Sequence, residues 1–176
     1  MSRESKLLSR ILRHEPGLAG LTLGPGGWVP VDDLLRGMKR VGHPLRREDL
    51  HRIVAESDKQ RFTLSRDGRR IRAAQGHSVA IDLDLPAAVP PAELYHGTAS
   101  ANLDAIFAQG LVPGKRRHVH LSPDAETATR VGQRHGRPVV LRIDTAPMSE
   151  AGHVFWCADN GVWLTDAVPP IFIRFA

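Results

Sequence analysis

The feature that most constrains the fold of this chain is an ordered series of hydrophobic patterns in its first 75 residues. Apolar residues recur at helical spacing in three segments, residues 4–14, 31–41 and 46–56. Two extended runs follow at residues 61–65 and 70–73, and the Asp67-Gly68 pair between them is a strong signal for a β-hairpin. The pattern therefore predicts three short helices followed by a hairpin.

This order of elements is that of a winged-helix domain, a fold that binds nucleic acids or other proteins. Residues 1–80 hold 16 Lys and Arg against 9 Asp and Glu, a net charge of +7, whereas residues 81–176 hold 8 against 10, a net charge of −2. Of the 24 basic residues 20 are Arg, whose planar guanidinium suits bidentate capture of phosphate. The first half is therefore predicted to present a phosphate-binding or nucleic-acid-binding face.

The second half has a different pattern, in which short strands are mixed with two helices. A strand and then a Pro/Ala-rich connector are predicted over residues 79–92, so the lobes are expected to be residues 1–80 and 81–176. Beyond the connector the predicted strands are residues 94–96, 118–121, 138–143, 161–164 and 171–175, with an irregular segment before the last two. The predicted helices are residues 100–109 and 124–134. This mixture indicates an α+β fold.

The composition excludes several classes of protein. No apolar run approaches the roughly 18 residues of a membrane span, and the first ten residues lack the apolar core of a signal peptide. The single cysteine, Cys157, excludes an internal disulfide and a multi-cysteine zinc site. We expect a cytoplasmic globular protein that acts as a monomer and does not associate with a membrane.

Two clusters in the first half combine cations with small polar residues. Arg13 and His14 close the first predicted helix, where cations interact favourably with the helix dipole, so both a capping role and a ligand-binding role are open. The second cluster begins at Arg72, in the last predicted strand of the hairpin, and continues through Gln75, Gly76, His77 and Ser78. Gly76 permits a sharp bend or the close approach of a ligand, and the imidazole and hydroxyl beside it could donate to phosphate oxygens. An ordinary turn explains this segment equally well.

Two further clusters lie in the second half. A strand that ends in His96-Gly97-Thr98, followed by Asn102, presents amides and a hydroxyl that suit hydrogen bonds to the ribose or amide of a nucleotide. Strand alternation places His118 and His120 on one face, and such a pair could ligate a metal. Because no nearby carboxylate or cysteine completes a ligand set, no metal is expected. Hydrogen bonds from these histidines to a ribose, with Arg116 on a phosphate, are the favoured interpretation.

The clusters belong to a longer series of motifs along residues 5–173. In chain order these are Arg-His-x-Pro at 13–16, Lys-x-Arg-Phe at 59–62, Arg-x-x-Gln-Gly-His-Ser at 72–78, Tyr-His-Gly-Thr at 95–98, Arg-x-His-Val-His-Leu-Ser at 116–122, Val-Gly-x-Arg-His-Gly at 131–136 and Asn-Gly-Val-Trp-Leu-Thr at 160–165. The series closely resembles the KptA family of RNA 2′-phosphotransferases.

The resemblance implies an N-terminal winged-helix lobe and a C-terminal ADP-ribosyltransferase-like lobe that binds NAD as a co-substrate. A metal is not implied, since arginines take the charge role that a metal would otherwise fill. The residues expected to contact NAD are His96, Gly97, Thr98, Asn102, His120, Leu121 and Ser122. The three-residue signature of related transferases corresponds by position to His96, His120 and Val162, and an apolar third residue is consistent with this family.

The reaction implied by the resemblance transfers a phosphate from RNA to NAD in two steps. An internal RNA 2′-phosphate, such as one left at a splice junction in tRNA splicing, attacks C1″ of the nicotinamide ribose. Nicotinamide leaves, and a 2′-phospho-ADP-ribosylated RNA is formed. The ribose O2″ then attacks the phosphorus, which yields 2′-OH RNA and ADP-ribose 1″,2″-cyclic phosphate.

The same resemblance implies roles for individual residues. Arg13, His14 and Arg72 would clamp the RNA 2′-phosphate, with His14 either a general acid for the departing RNA 2′-oxygen or only a phosphate donor. Arg116 would contact the transferred phosphate and the NAD-derived ribose and aid the second step. The substrate-binding set is completed by residues expected to shape the junction between the lobes, Gln75, His77 and Ser78.

Two alternative functions stay open at the level of sequence. One is an ADP-ribosyltransferase that acts on another phosphate end or on protein and stops after the first step. The other is a non-enzymatic winged-helix protein that binds nucleic acid, which predicts no dependence on NAD. The presence of an arginine–histidine cluster in each half argues against this second alternative.

Overall fold

The computed structural model describes residues 2–57, 59–134 and 136–176. The chain divides into two compact units, the first ending at Leu85 and the second beginning at Pro86. Helices and short strands are mixed in both units, which confirms the predicted α+β class. In the parts of the chain that are described, no helix is both long and apolar enough to span a lipid bilayer.

The first unit contains the three predicted helices, α1 (Arg3–Arg13), α2 (Val31–Arg40) and α3 (Arg47–Ala55). Ser2 caps the start of α1, because its hydroxyl accepts a hydrogen bond of 3.1 Å from the backbone N–H of Ser5. Helices and strands of this unit enclose one apolar core, which includes Leu8, Ile11, Leu12, Val29, Val31, Leu34, Met38, Leu50, Phe62 and Ile71.

The predicted hairpin is present as β2 (Phe62–Leu64) and β3 (Arg70–Ala73), with Phe62 opposite Ala73 in antiparallel register. Gly68 in the connecting turn has a φ of 67°, a conformation that favours glycine. A short strand, β1 (Val29–Pro30), pairs with the other edge of β3, so the strand order is β1-β3-β2. The central strand is therefore the one that contains Arg72.

The prediction of a strand within residues 79–92 is wrong, because this segment forms no strand. Every residue of this segment is described, and its one bridge to another strand is the isolated antiparallel pair of Ala87 with Trp156. Asp84 has a φ of 53°, and its backbone N–H donates to the Asp82 carboxylate at 2.9 Å. This local turn competes with strand pairing, although apolar and acidic residues alternate here as they would in a strand.

The described residues of the second unit form two three-stranded antiparallel sheets and three α-helices. The order in one sheet is β4 (Glu93–Ala99), β6 (Pro138–Asp144), β9 (Ile173–Phe175). The order in the other is β5 (Val119–Leu121), β8 (Trp163–Thr165), β7 (Phe155–Cys157). The helices are α4 (Leu103–Gln109), α5 (Ala125–Gly132) and α6 (Thr145–Glu150). Both sheets contribute to one apolar core, which includes Leu94, Leu121, Leu141, Ile143, Phe155 and Ile173.

The prediction of irregular structure before β8 is wrong, because α6 and β7 lie in that segment. Pro147 occupies the first turn of α6, where its missing N–H removes no hydrogen bond of the helix, and the helix buries Met148. β7 pairs with β8, so that Phe155 lies opposite Thr165. Elements of six and three residues are too short to produce a clear hydrophobic period, which explains why the sequence pattern missed them.

Candidate functional site

The end of α1 and the segment after β3 bring together two motifs that lie 64 residues apart in the chain. Arg13 is the last residue of α1, and His14 is its C-cap. The backbone N–H of Ser78 donates to the Arg13 carbonyl at 3.0 Å, and the Ser78 hydroxyl lies 2.9 Å from His14 Nδ1. Arg13 and His14 therefore occupy the C-terminal end of α1, as the capping interpretation expects, and also contact Ser78.

Arg13 also contacts the bend at residues 74–78. Its Nη2 donates to the Arg61 carbonyl at 3.4 Å, and the backbone N–H of Ala74 donates to the same carbonyl at 2.9 Å. Gly76 has a φ of 89°, and a Cβ at this position would lie 3.8 Å from Arg13 Nη1. The bend thus passes close to the guanidinium of Arg13, with Gln75 half-buried in it.

Arg72 is held by two backbone carbonyls and an aromatic ring. Its Nη1 donates to the carbonyl of Gly26 at 3.2 Å and to that of Leu83 at 3.1 Å. Its Cζ lies 4.7 Å from the centre of the Trp28 ring, a distance typical of a cation–π interaction. The contact of Trp28 with Arg72 was not predicted from the sequence.

His77 lies close to these cations and is only 3% exposed. Burial, and then the nearby positive charges of Arg13, His14 and Arg72, lower the pKa of His77 from its usual 6.5 to about 4. Neither ring nitrogen of His77 has a hydrogen-bond partner among the residues that the structure describes. The imidazole is therefore neutral at pH 7. We call Arg13, His14, Arg72, His77 and Ser78 the arginine cluster.

In the second unit, several predicted residues lie where β4 approaches the end of β5. Tyr95 and Ser122 exchange two backbone hydrogen bonds, of 2.9 and 2.7 Å, although β4 and β5 belong to different sheets. His96 Nδ1 lies 3.1 Å from the carbonyl oxygen of His120. The structure therefore brings together His96, His120 and Ser122, which we call the His96 region.

Two further predicted residues contact each other just beyond His96. Thr98 is buried on β4, and Asn102 is exposed in the turn that leads into α4. Asn102 Nδ2 donates to Thr98 Oγ1 at 3.2 Å, so the amide holds the orientation of the hydroxyl.

The backbone of α5 approaches β4 closely at Gly97, which has no side chain. A Cβ at Gly97 would lie 1.7 Å from the Ala128 carbonyl oxygen and 2.9 Å from the Gly132 nitrogen. A Cβ at Gly132 would in turn lie 2.9 Å from the Thr98 carbonyl oxygen. The helix ends at Gly132 and not at residue 134 as predicted, and the sequence pattern did not reveal the contact between the two glycines. His135, which belongs to the same motif, lies outside the described residues.

The remaining two residues of the predicted set in this unit differ in exposure. The side chain of Leu121 is buried in the apolar core, so only its backbone is available to a ligand. Arg116 is exposed in the turn before β5, where its backbone N–H donates to the Pro113 carbonyl at 3.2 Å.

A carboxylate that the sequence did not reveal lies near His118, the histidine of the pair that precedes β5. His118 Nε2 lies 3.9 Å from Asp166 Oδ1, and the His118 ring is 5.2 Å from a ring of Trp156. This contact places one carboxylate near the pair. In the described parts of the chain, however, no group of three or more His, Cys, Asp and Glu side chains is arranged to hold a metal ion.

Cys157 has the properties of an ordinary thiol. Burial, and then the nearby charge of Asp159, raise the pKa of Cys157 above its usual value. A raised pKa disfavours the thiolate, which is the nucleophilic form.

One unit therefore contains a cluster of arginine and histidine side chains, and the other contains a mainly uncharged, hydrogen-bonding region. The sequence model of the RNA 2′-phosphotransferase, Tpt1 / KptA family matches residues 1–167. Relatives called probable RNA 2′-phosphotransferase occur in Streptomyces griseus (56% identity over 96% of this chain and 93% of the relative), Hahella chejuensis (54% over 98% and 93%) and Agrobacterium fabrum (58% over 94% and 89%). The chain therefore belongs to the Tpt1/KptA family of RNA 2′-phosphotransferases, a family of enzymes, and the resemblance inferred from its motifs is confirmed.

Proposed function

We propose that this protein removes an internal 2′-phosphate from RNA by transferring it to NAD. The observation that carries the proposal is the arginine cluster, which gathers two arginines and His14 from distant segments in a chain of the Tpt1/KptA family. The relatives named above are called RNA 2′-phosphotransferases, and this chain covers about nine-tenths of the length of each. The substrate would be RNA that carries a 2′-phosphate, such as the product of tRNA splicing.

The finer assignments of fold and setting belong to the same proposal. The first unit would be a winged-helix lobe, since it has three helices and a hairpin in that order. The second would be an ADP-ribosyltransferase-like lobe that binds NAD. The enzyme would act in the cytoplasm as a monomer.

In the first unit, the arginine cluster would bind the RNA 2′-phosphate. A phosphate dianion is bound best by charge-assisted hydrogen bonds, and arginine offers them in a planar fork. The buried, neutral imidazole of His77 lies beside the cations and excludes water from that side. Electrostatic interactions are stronger where water is excluded, so Arg13 and Arg72 would act on the phosphate more strongly than exposed arginines do.

In the second unit, the groups present fit the neutral parts of NAD. Ribose hydroxyls and a carboxamide are uncharged, and the His96 region together with Thr98 and Asn102 offers uncharged donors and acceptors. The exposed guanidinium of Arg116 would meet the transferred phosphate. Because arginines supply the positive charge, the proposal requires no metal.

The proposed reaction consists of two successive displacement steps. In the first, an oxygen of the RNA 2′-phosphate bonds to C1″ of the nicotinamide ribose while the bond from C1″ to nicotinamide breaks. In the second, phosphorus passes from the RNA 2′-oxygen to O2″, and the proton lost by O2″ is balanced by one gained by the RNA 2′-oxygen. His14, whose ring is oriented by Ser78, would donate that proton or only a hydrogen bond to the phosphate.

The test is to incubate the protein with NAD and a short RNA that has one internal 2′-phosphate. Nicotinamide, ADP-ribose 1″,2″-cyclic phosphate and 2′-OH RNA should appear together, and none should form without NAD or with RNA that lacks the 2′-phosphate. RNA that keeps its phosphate while NAD is present would overturn the proposal. ADP-ribose attached to another phosphate end or to protein would indicate the alternative transferase, and RNA binding without any reaction would indicate a nucleic-acid-binding protein.

A further inference from the structure

The guanidinium of Arg72 is fixed in both its plane and its rotation. The ring of Trp28 lies 4.7 Å from Cζ and attracts the cation to its face. The carbonyls of Gly26 and Leu83 both accept from the same nitrogen, Nη1, at 3.2 and 3.1 Å. An arginine side chain loses much rotamer freedom when it is ordered, so a guanidinium that is already ordered loses less when it binds a phosphate.

The turn at residues 24–28 is shaped around this contact. Gly26 has a φ of 67°, and a Cβ at this position would lie 3.1 Å from Trp28 Cδ1 and 3.5 Å from Arg72 Nη1. The backbone N–H of Gly24 donates to the Trp28 carbonyl at 2.9 Å and closes the turn. The absence of a side chain at Gly26 therefore leaves room for the indole and the guanidinium to lie next to each other.

A second arginine of β3 lies near the same ring. The Cζ of Arg70 is 5.4 Å from the ring centre of Trp28, and Arg70 and Arg72 lie on the same side of the strand because they are two residues apart. Arg72 is closer to the ring than Arg70 is, and its guanidinium also donates to the carbonyls of Gly26 and Leu83. The ring therefore restrains Arg72 more tightly than Arg70.

We propose that Trp28 is a positioning residue, whose ring holds Arg72 in the orientation that binds the RNA 2′-phosphate. This inference rests on the proposed function, because it assigns Arg72 to that phosphate. Trp28 itself does not touch the substrate in this proposal, and its effect passes through Arg72.

The test compares binding of a short RNA with one internal 2′-phosphate to binding of the same RNA with a 2′-OH, in the absence of NAD. Trp28→Leu removes the aromatic face, and Trp28→Phe keeps one. The leucine variant should bind the phosphorylated RNA about tenfold more weakly, whereas the phenylalanine variant should recover most of that loss. Binding of the 2′-OH RNA and the KM for NAD should not change in either variant.

Coupling to Arg72 separates positioning from a general structural role. In an Arg72→Ala background, Trp28→Leu should produce no further loss of binding. Equal losses in the leucine and phenylalanine variants, or losses for Trp28→Leu and Arg72→Ala that multiply, would overturn the proposal.

A second experiment tests the proposal if the Trp28→Leu variant does not fold. Replacement of the three tryptophans by 5-fluorotryptophan keeps their shape and weakens the aromatic face. Binding of the phosphorylated RNA should then fall in the otherwise unchanged protein and stay constant in the Arg72→Ala variant, and a fall of equal size in both would contradict the proposal.

The outcome also distinguishes this inference from the proposed function. If the unaltered protein binds the two RNAs equally, the proposed function fails. If it prefers the phosphorylated RNA and Trp28→Leu keeps that preference, only the role of Trp28 fails.

Discussion

The arginine cluster of the first unit and the His96 region of the second differ in charge. The cluster places Arg13, His14 and Arg72 near a buried neutral imidazole, whereas the His96 region is built from imidazole, hydroxyl, amide and backbone groups. Cations are matched to a phosphate, and uncharged donors and acceptors are matched to ribose and carboxamide groups. Under the proposed function, each unit would be specialised for one of the two substrates.

The two sites also differ in what holds them together. The arginine cluster depends on side chains and loops, since Trp28, the carbonyls of Gly26 and Leu83, and the bend at residues 74–78 restrain its members. The His96 region depends on backbone contacts, because Tyr95 and Ser122 join two sheets and Gly97 receives the backbone of α5. Side-chain substitutions should therefore affect the first site most directly, and an added Cβ should disrupt the second.

The largest expected effect is on the arginine cluster. Arg13→Ala or Arg72→Ala should each lower turnover of the 2′-phosphorylated RNA about 10²–10³-fold, because each removes a preorganised phosphate donor. Steady-state assays should show little change in the KM for NAD. The control is Arg66→Ala, which removes an exposed cation from the hairpin turn of the same unit. A loss of equal size in the control would show that total charge, and not the position of the cluster, sets the activity.

Gly97→Ala should destabilise the second unit by about 3 kcal/mol, because the new Cβ would overlap backbone atoms of α5 that have little room to move. Urea unfolding measures this loss. The matched control is Gly17→Ala, since a Cβ at Gly17 would meet nothing within 4 Å. If Gly97→Ala is as stable as the control, the close packing of α5 on β4 does not carry the stability we assign to it.

The buried imidazole of His77 should make the first unit sensitive to acid. Its pKa is lowered from 6.5 to about 4 in the folded protein, so the unfolded chain binds more protons between these two values. Stability contributed by the neutral imidazole is complete above pH 6.5 and is lost as the pH falls towards 4, by roughly 3 kcal/mol at most.

This pH dependence is checked by the free energy of unfolding at pH 7 and pH 4.5. His77→Gln should flatten the difference between the two values, and His51→Gln, which replaces an exposed histidine of the same unit, should leave it as it is. An unchanged slope in His77→Gln would contradict burial of a neutral imidazole at this position.

The smallest effect is expected at Arg116, which is exposed and belongs to the second unit. Arg116→Ala should slow the second step roughly tenfold more than the first, so that the ADP-ribosylated RNA accumulates. Single-turnover assays with labelled RNA separate the two steps, and Arg117→Ala at the adjacent exposed position is the control. Equal slowing of both steps would rule out a specific role of Arg116 in the second one.

Sequence reasoning predicted the first unit better than the second, and the reason is element length. The helices of nine to eleven residues show a clear hydrophobic period, and Asp67-Gly68 marks the hairpin turn. In the second unit α6 and β7 have six and three residues, and neither was predicted. The prediction of a strand within residues 79–92 was wrong for a different reason. This segment has the alternating pattern of a strand, but a turn at Asp84 prevents it from pairing.

The sequence motifs named candidate residues but not the contacts that position them. The motifs identified the family and named Arg13, His14 and Arg72, and the structure gathers these three near His77. The motifs did not reveal that Trp28 holds Arg72, because the two residues are far apart in sequence and meet only where the turn before β1 lies beside β3. Gly97 was expected to admit a ligand, and in the structure it admits α5.

The sequence by itself determined the helices and hairpin of the first unit, the family, and the identities of the candidate site residues. These follow from hydrophobic period, turn chemistry and short motifs, all of which act over a few residues. Only the tertiary structure decided that His77 is buried and neutral, that Arg72 lies against Trp28, and that Gly97 faces α5. Burial, desolvation and close approach depend on segments that are distant in the chain, so local patterns do not contain them.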